Sequence, residues 1–350
     1  MTKKLFAILS VLIVGSMLLA ACATPTEPPA ASEEPTAKIK VCQITDTGGI
    51  DDKSFNATAW KGITDAQAQF GIEAKYLESK EVADYEKNLN AFIEEKCDLI
   101  VTVGFLIGDA TKAAAEANPD IKFSIVDYNY DPAIPNVVGQ IFNTDEAAFL
   151  AGYLAAGVSK TGVVGTFGGL PIPTVTIFMD GFYKGVAKYN EVKGTDVKVL
   201  GWDPATQTGL FSNSFDDQQK GSELAKSLMD EGADIIMPVA GPVGLGAAAA
   251  IKERGNAYLI GVDSDWALTS PEYADITLTS VMKLMDATTM QVIQSVIDGT
   301  FKGGDVVGTL ANNGVALAPF HELESLVPAE LAAEIEQLKA DIIAGTITLK

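Results

Sequence analysis

Asp46 and Phe55 lie in one short stretch, Ile39–Gly62, which reads IKVCQITDTGGIDDKSFNATAWKG. A carboxylate accepts paired N–H donors and an aromatic face stacks on a flat ring, so together these two residues could hold a nitrogen heterocycle. The same residues have a plainer use, with Phe55 and Trp60 as core and Asp46 ending a strand. For the loop taken alone, that plainer use is favoured.

The elements that must position them are readable. Ile39–Thr45 is an apolar run of strand length, Asp46–Asp52 is crowded with Gly and Asp, and Ser54 opens a segment whose Phe55, Ala59, Trp60 and Ile63 fall at helical spacing. In a parallel α/β sheet, the loop at the carboxyl end of such a strand gathers helix N-termini and free backbone N–H groups, and ligands bind there. The Asp51-Asp52 pair lacks the spacing of a calcium loop and reads as a hydrated polar turn.

Enzyme chemistry finds little to build on. The one histidine, His321, sits in a late polar turn beside no nucleophile motif and reads as an exposed loop residue. Gly241-Pro-Val-Gly-Leu-Gly246 and Gly165–Gly169 fit neither dinucleotide nor P-loop patterns. They read as strand-to-helix turns, the first facing a cleft. No metal and no cofactor is called for.

Lys3 and Lys4 precede an apolar run from Leu5 to Leu19 that ends in Leu-Ala-Ala-Cys22. A basic start, a short apolar run and small residues before a cut describe a secretory signal over residues 1–21, too short to span a bilayer comfortably. The Leu-Ala-Ala-Cys resembles the bacterial lipobox, which makes Cys22 a lipidated N-terminus. Residues 22–38, rich in Pro and free of aromatics, read as a disordered tether. A formal net charge of −21 argues against nucleic acid and anionic lipid as partners. Cys42 and Cys97 are read as buried thiols in preference to a bridge, because neighbouring parallel strands rarely offer disulfide geometry.

From Ile39 onward, strand and helix alternate in two series, which implies parallel sheets with right-handed crossovers. The expected fold is α/β with two lobes, of the type I periplasmic-binding kind, in which two doubly wound sheets share a hinge crossed several times. A first lobe is expected over 39–143 plus about 266–310, and a second over 144–265 plus about 311–350. The strand Ile276–Val281 is assigned to the first lobe. Crossings are expected near Phe142–Asp145, Val262–Trp266 and Leu310–Ala318.

TDTGGIDDKSFN, CDLIVTVGF at 97–105, GVDSDW at 261–266 and SVMK at 280–283 resemble, in order, the signature blocks of the basic membrane protein family. These are lipoprotein substrate-binding subunits of ABC importers, best represented by purine nucleoside receptors. The resemblance implies that Asp46 recognises the base, Phe55 stacks on it, Asp263 accepts ribose hydroxyl protons and Lys283 contacts the ribose. Asn56 and Trp60 belong to the motif and serve the helix start and core, with Asn56 also counted among the ligand-binding residues. By the same alignment, Met237 stands opposite Phe55, and Gly241 lies in the cleft-facing turn, with Pro242 where a Gly could approach the ligand.

The resulting expectation is a monomeric, extracytoplasmic, lipid-anchored receptor that closes on a purine nucleoside and hands it to a permease with its ATPase. A sugar or another small heterocycle is the alternative ligand, and a nucleoside-processing enzyme the alternative class.

Overall fold

The computed structural model describes residues 38–349, and the expected signal segment, Cys22 and the tether up to residue 37 lie outside them. The chain runs β1 (Lys40–Ile44), α1 (Phe55–Phe70), β2 (Glu73–Leu77), α2 (Asp84–Glu94), β3 (Leu99–Val103), α3 (Gly108–Ala117), β4 (Lys122–Val126) and β5 (Val137–Phe142). It continues through α4 (Thr144–Val158), β6 (Val163–Gly168), α5 (Pro173–Lys193), β7 (Lys198–Leu200), a small hairpin β8 (Trp202–Asp203) and β9 (Thr208–Gly209), then α6 (Gln218–Asp230) and β10 (Ile235–Val239). Then come α7 (Val243–Arg254), β11 (Tyr258–Asp263), α8 (Trp266–Thr269), β12 (Thr277–Lys283), α9 (Met285–Ile297), β13 (Gly304–Gly308), β14 (Val315–Leu317) and α10 (Ala329–Ile343).

The strands form two six-stranded sheets, ordered β13-β5-β4-β3-β1-β2 and β14-β12-β11-β10-β6-β7. Pairing is parallel in both except between β12 and β14. The side-chain period of two divides each strand between two helical layers. In the first sheet, Val41, Leu99 and Val101 pack with Ala59 and Ile63 of α1 and with Val292 of α9. Their neighbours Cys42, Ile100 and Phe123 pack on the opposite face against Tyr85 and Leu89 of α2. In the second sheet, Ile235, Met237 and Val239 face α4 and α5, while Ile236 faces α6 and α7. The helix pair α4 and α5 crosses closely enough that a Cβ on Gly152 would lie 2.0 Å from the Phe182 carbonyl, and one on Gly185 2.0 Å from that of Phe149. Glycine is required at that crossing.

One lobe assignment is corrected. β12 pairs parallel with β11, with Gly261 against Ser280 and Asp263 against Met282, so the strand expected in the first lobe belongs to the second sheet. The chain does not cross at Val262–Trp266. It crosses after Phe142, again after Lys283 where α9 leaves to pack on α1, and once more between β13 and β14. Apolar content cannot tell which of two similar sheets a strand joins, because both bury both faces.

The cysteines are also corrected: Cys42 and Cys97 form a disulfide, with Cα atoms 6.1 Å apart. The expectation applied the constraint of neighbouring parallel strands to this pair, and the pair escapes it. Cys97 lies in the turn before β3, outside the ladder that pairs Val41 with Leu99.

Candidate functional site

The carboxyl ends of β1, β3, β4, β10, β11 and β12 converge on one cavity with about 610 Å³ of empty space, open solvent included. Asp46 follows β1. Its Oδ1 accepts the Gly48 N–H at 2.9 Å and the Asn56 amide at 2.6 Å, while Asn56 Oδ1 in return accepts the Asp46 backbone N–H at 3.1 Å. Oδ2 has no protein partner among the described residues, and Asp46 lines the cavity. Gly104, at φ +107°, makes room for it, since a Cβ there would stand 3.3 Å from Oδ2.

Asp52 departs from its expected part. Its neighbour Asp51 is exposed, but Asp52 is buried and accepts the backbone N–H groups of Ser54, Asn56 and Ala57 at 2.7–3.0 Å. It thereby caps α1, whose N-cap residue Ser54 makes no side-chain cap of its own. Asn56 donates to Asp52 as well, at 3.0 Å. Asn56 is fully buried beneath Asp46 and Asp52, and does not line the cavity.

Phe55 does line it, near the ammonium that organises the far side. Lys283 ends β12 with 2% exposure. Its Nζ lies 2.5 Å from Asp127 Oδ2, 3.7 Å from Asp263 Oδ1 and 4.7 Å from the centre of the Phe55 ring. A cation held among carboxylates and a ring face is the arrangement that makes a buried ammonium tolerable. Asp127 follows β4 and was missed in the sequence, although it ends a strand as Asp46 and Asp263 do. Ser54 joins the lobes here: its hydroxyl donates to the Val262 carbonyl at 2.9 Å, and lies 3.3 Å from Asp263 Oδ2.

The second lobe supplies the apolar wall: Phe178 from α5, Phe215 from the loop before α6, Val239 at the end of β10, and Gly241 and Pro242 just after it. Met237 is overturned as a cavity residue. It is fully buried in mid-strand on the α4 and α5 face, two positions short of the end of β10, and the chain reaches the cavity only from Val239 onward. Phe215, which lines the cavity beside Phe178, lies in a loop without periodicity.

Burial pushes the carboxyls of Asp46 and Asp127 above the usual range. The Asn56 amide and the Gly48 N–H oppose it at Asp46, and Lys283 opposes it at Asp127. Burial raises Asp263 to about 6 against the pull of Lys283, and Asp52 to about 7 against the backbone N–H groups that it accepts. His321 is no free loop residue: its Nε2 lies 2.7 Å from Asp265 Oδ2, away from the cavity. Among the described residues, no group of three or more His, Cys, Asp or Glu side chains is placed to hold a metal ion.

The arrangement suits a neutral ligand rich in hydroxyl and N–H donors and carrying a flat ring. Residues 39–350 match the family model described as ABC transporter substrate-binding protein, PnrA-like.

The chain belongs to this family.

Basic membrane protein A of Borreliella burgdorferi is 35% identical over 308 residues, covering 87% of this chain and 85% of that one. A protein of Lactococcus lactis subsp. cremoris named ABC transporter nucleoside-binding protein BmpA is 29% identical, covering 100% and 99%. Among solved structures, an ABC transporter solute-binding protein from Aeropyrum pernix K1 superposes with a TM-score of 0.80 at 27% identity, covering 89% of this chain and 92% of that one. This PnrA-like protein therefore has the two-lobed α/β fold of type I periplasmic-binding proteins and is an ABC transporter substrate-binding protein. No helix among its described residues is long and apolar enough to cross a membrane.

Proposed function

We propose that this chain is the lipid-anchored, extracytoplasmic receptor of an ABC importer and that its ligand is a purine nucleoside held between the lobes. The observation that carries the reading is a single cavity that gathers two kinds of group. The Oδ2 of Asp46 and the ring of Phe55 offer an acceptor and a face to a purine. Beside them, with Lys283 Nζ 4.7 Å from the centre of the Phe55 ring, Asp127, Lys283 and Asp263 offer acceptors and a donor to vicinal hydroxyls. A carboxylate and an ammonium can share one sugar's hydroxyls while pairing with each other. Phosphate is poorly served, because Lys283 is committed to two carboxylates.

Closure would be a population shift. A ligand that touches Asp46 on the first lobe and Asp263 on the second stabilises the closed form by its differential contacts, and the permease reads that form. The test is mass spectrometry of the small molecule that co-purifies with the protein, followed by calorimetry with a panel of nucleosides, free bases and sugars. A purine nucleoside in both supports the reading. A free sugar that binds better than any nucleoside overturns it, and release of free base during incubation would make the protein an enzyme.

A further inference from the structure

A second cavity adjoins the first, with about 820 Å³ of empty space including its open mouth. Phe105, Asp127 and Thr174 line both. The remainder of its wall comes from the carboxyl end of β5, Ile141 and Phe142, the residues after β4, and the first turns of α5, including Pro173 and Ile177. It therefore lies between the lobes, beside the chain crossing at Phe142, on the Asp127 side of the site.

Its chemistry differs from that of the main cavity. Among the described residues, Asp127 is the only charged one that lines it, and that carboxylate is already bound by Lys283. Tyr128 offers a ring that packs against Phe105, with centroids 5.1 Å apart, and the Asn129 amide is spent on Asp305 at 3.2 Å. An uncharged apolar group fits such walls, whereas a phosphate would face a carboxylate with no free cation.

We infer that this chamber is a subsite for an apolar substituent on the sugar end of the ligand, so that the protein accepts nucleosides extended at the 5′ carbon by an uncharged alkylthio group. The inference rests on the nucleoside reading, in which the sugar meets Asp127, a residue that lines both cavities, and its 5′ substituent extends past Asp127 into the chamber. Each methylene that leaves water for the chamber adds roughly fourfold to affinity. A chain of several carbons is accommodated, and Asp46 and Phe55, which do not line the chamber, are untouched.

Calorimetry on the full chain in detergent tests this with adenosine, guanosine and inosine, each beside its 5′-methylthio and 5′-butylthio counterparts. The expected result is that the extended ligands bind as tightly as the parent or tighter, with butylthio ahead of methylthio. Ile177→Trp, which fills the chamber from a position that does not line the main cavity, should weaken the butylthio ligands by about tenfold or more and leave the parents within about twofold. Ile177→Ala, which only removes volume, should keep the butylthio ligands bound and covers the case in which the tryptophan variant does not fold. Rejection of the extended ligands by about tenfold in the unaltered protein that binds the parents overturns the subsite and leaves the nucleoside reading standing. Undiminished binding of the butylthio ligands by folded Ile177→Trp also overturns it. Failure of parents and extended ligands alike overturns the reading beneath it.

Discussion

Asp127 and Asp263 are structural counterparts: each follows or ends the third strand of its sheet in spatial order, each has a left-handed backbone, with φ of 67° and 69°, and each turns its carboxylate toward Lys283. Asp is among the few side chains that tolerate this conformation, which turns the chain sharply off the strand end and over the cleft. One lysine thus answers a carboxylate from either lobe.

The free oxygen of Asp46 gives the first prediction. In Asp46→Asn the amide presents a donor where the ligand also donates, and a buried N–H edge left unpaired costs about 1–3 kcal/mol. Purine nucleosides should weaken by roughly tenfold or more. Ligand-induced thermal stabilisation that is unchanged from the parent protein would remove Asp46 from the site.

Lys283 separates sugar from base. Lys283→Met should bring nucleoside affinity down toward that of the free base while base affinity stays nearly constant, measured by calorimetry on the four combinations of protein and ligand. Equal losses for base and nucleoside would make Lys283 a structural residue. The variant should also lose about 3–5 kcal/mol of stability, because Asp127 is left charged and buried without its partner. Adding Asp127→Asn should recover part of that loss.

Protonation offers an independent view. Asp52 and Asp263 have folded pKa values of about 7 and about 6, against about 3.9 in an unfolded chain. Between those values the folded protein holds more protons than the unfolded one. Their stabilising contribution is therefore present below about pH 4 and lost as the pH rises through 6 to 7. The ligand-free protein should melt higher at pH 5 than at pH 7.5, and Asp263→Asn should narrow the difference; a variant with the full difference would exclude Asp263 as a source. Hydroxyl donors on Asp263 favour its charged form, so nucleoside binding near pH 6 should release protons. Calorimetry in buffers of different ionisation enthalpy would reveal the release.

Anchoring is tested outside the described residues. Cys22→Ser should leave the protein unprocessed or free of the membrane fraction, with ligand binding intact. A Cys22→Ser protein that is fully processed and membrane-bound would rule out Cys22 as the lipid attachment point.

The alternation of strands and helices was legible because parallel strands buried on both faces write themselves as short apolar runs such as Leu-Ile-Val-Thr-Val at 99–103. Membership of a sheet was not, and β12 went to the wrong lobe since pairing with β11 depends on neighbours that the strand's own residues do not encode. Asp46, Phe55, Asp263 and Lys283 were found because they lie in ordered motifs, and all four line the cavity. Asp127 carried the same signal, an acid at the end of an apolar run in Phe-Ser-Ile-Val-Asp, and could have been found by asking it of every strand. Phe215 could not, because nothing local to a loop reveals which cavity it borders. Met237 failed for a geometric reason: two residues of offset separate this core position from the end of β10.

Ser54 is buried where the two lobes meet. The hydroxyl that reaches across to Val262 belongs to the residue immediately before Phe55, and Ser264 reaches back to the Lys53 carbonyl at 3.0 Å. The ring that would seat a ligand and the clasp between the lobes therefore share a peptide unit at the first turn of α1. A displacement of the backbone at Phe55 would therefore also strain the Ser54 and Ser264 hydrogen bonds that tie the lobes together.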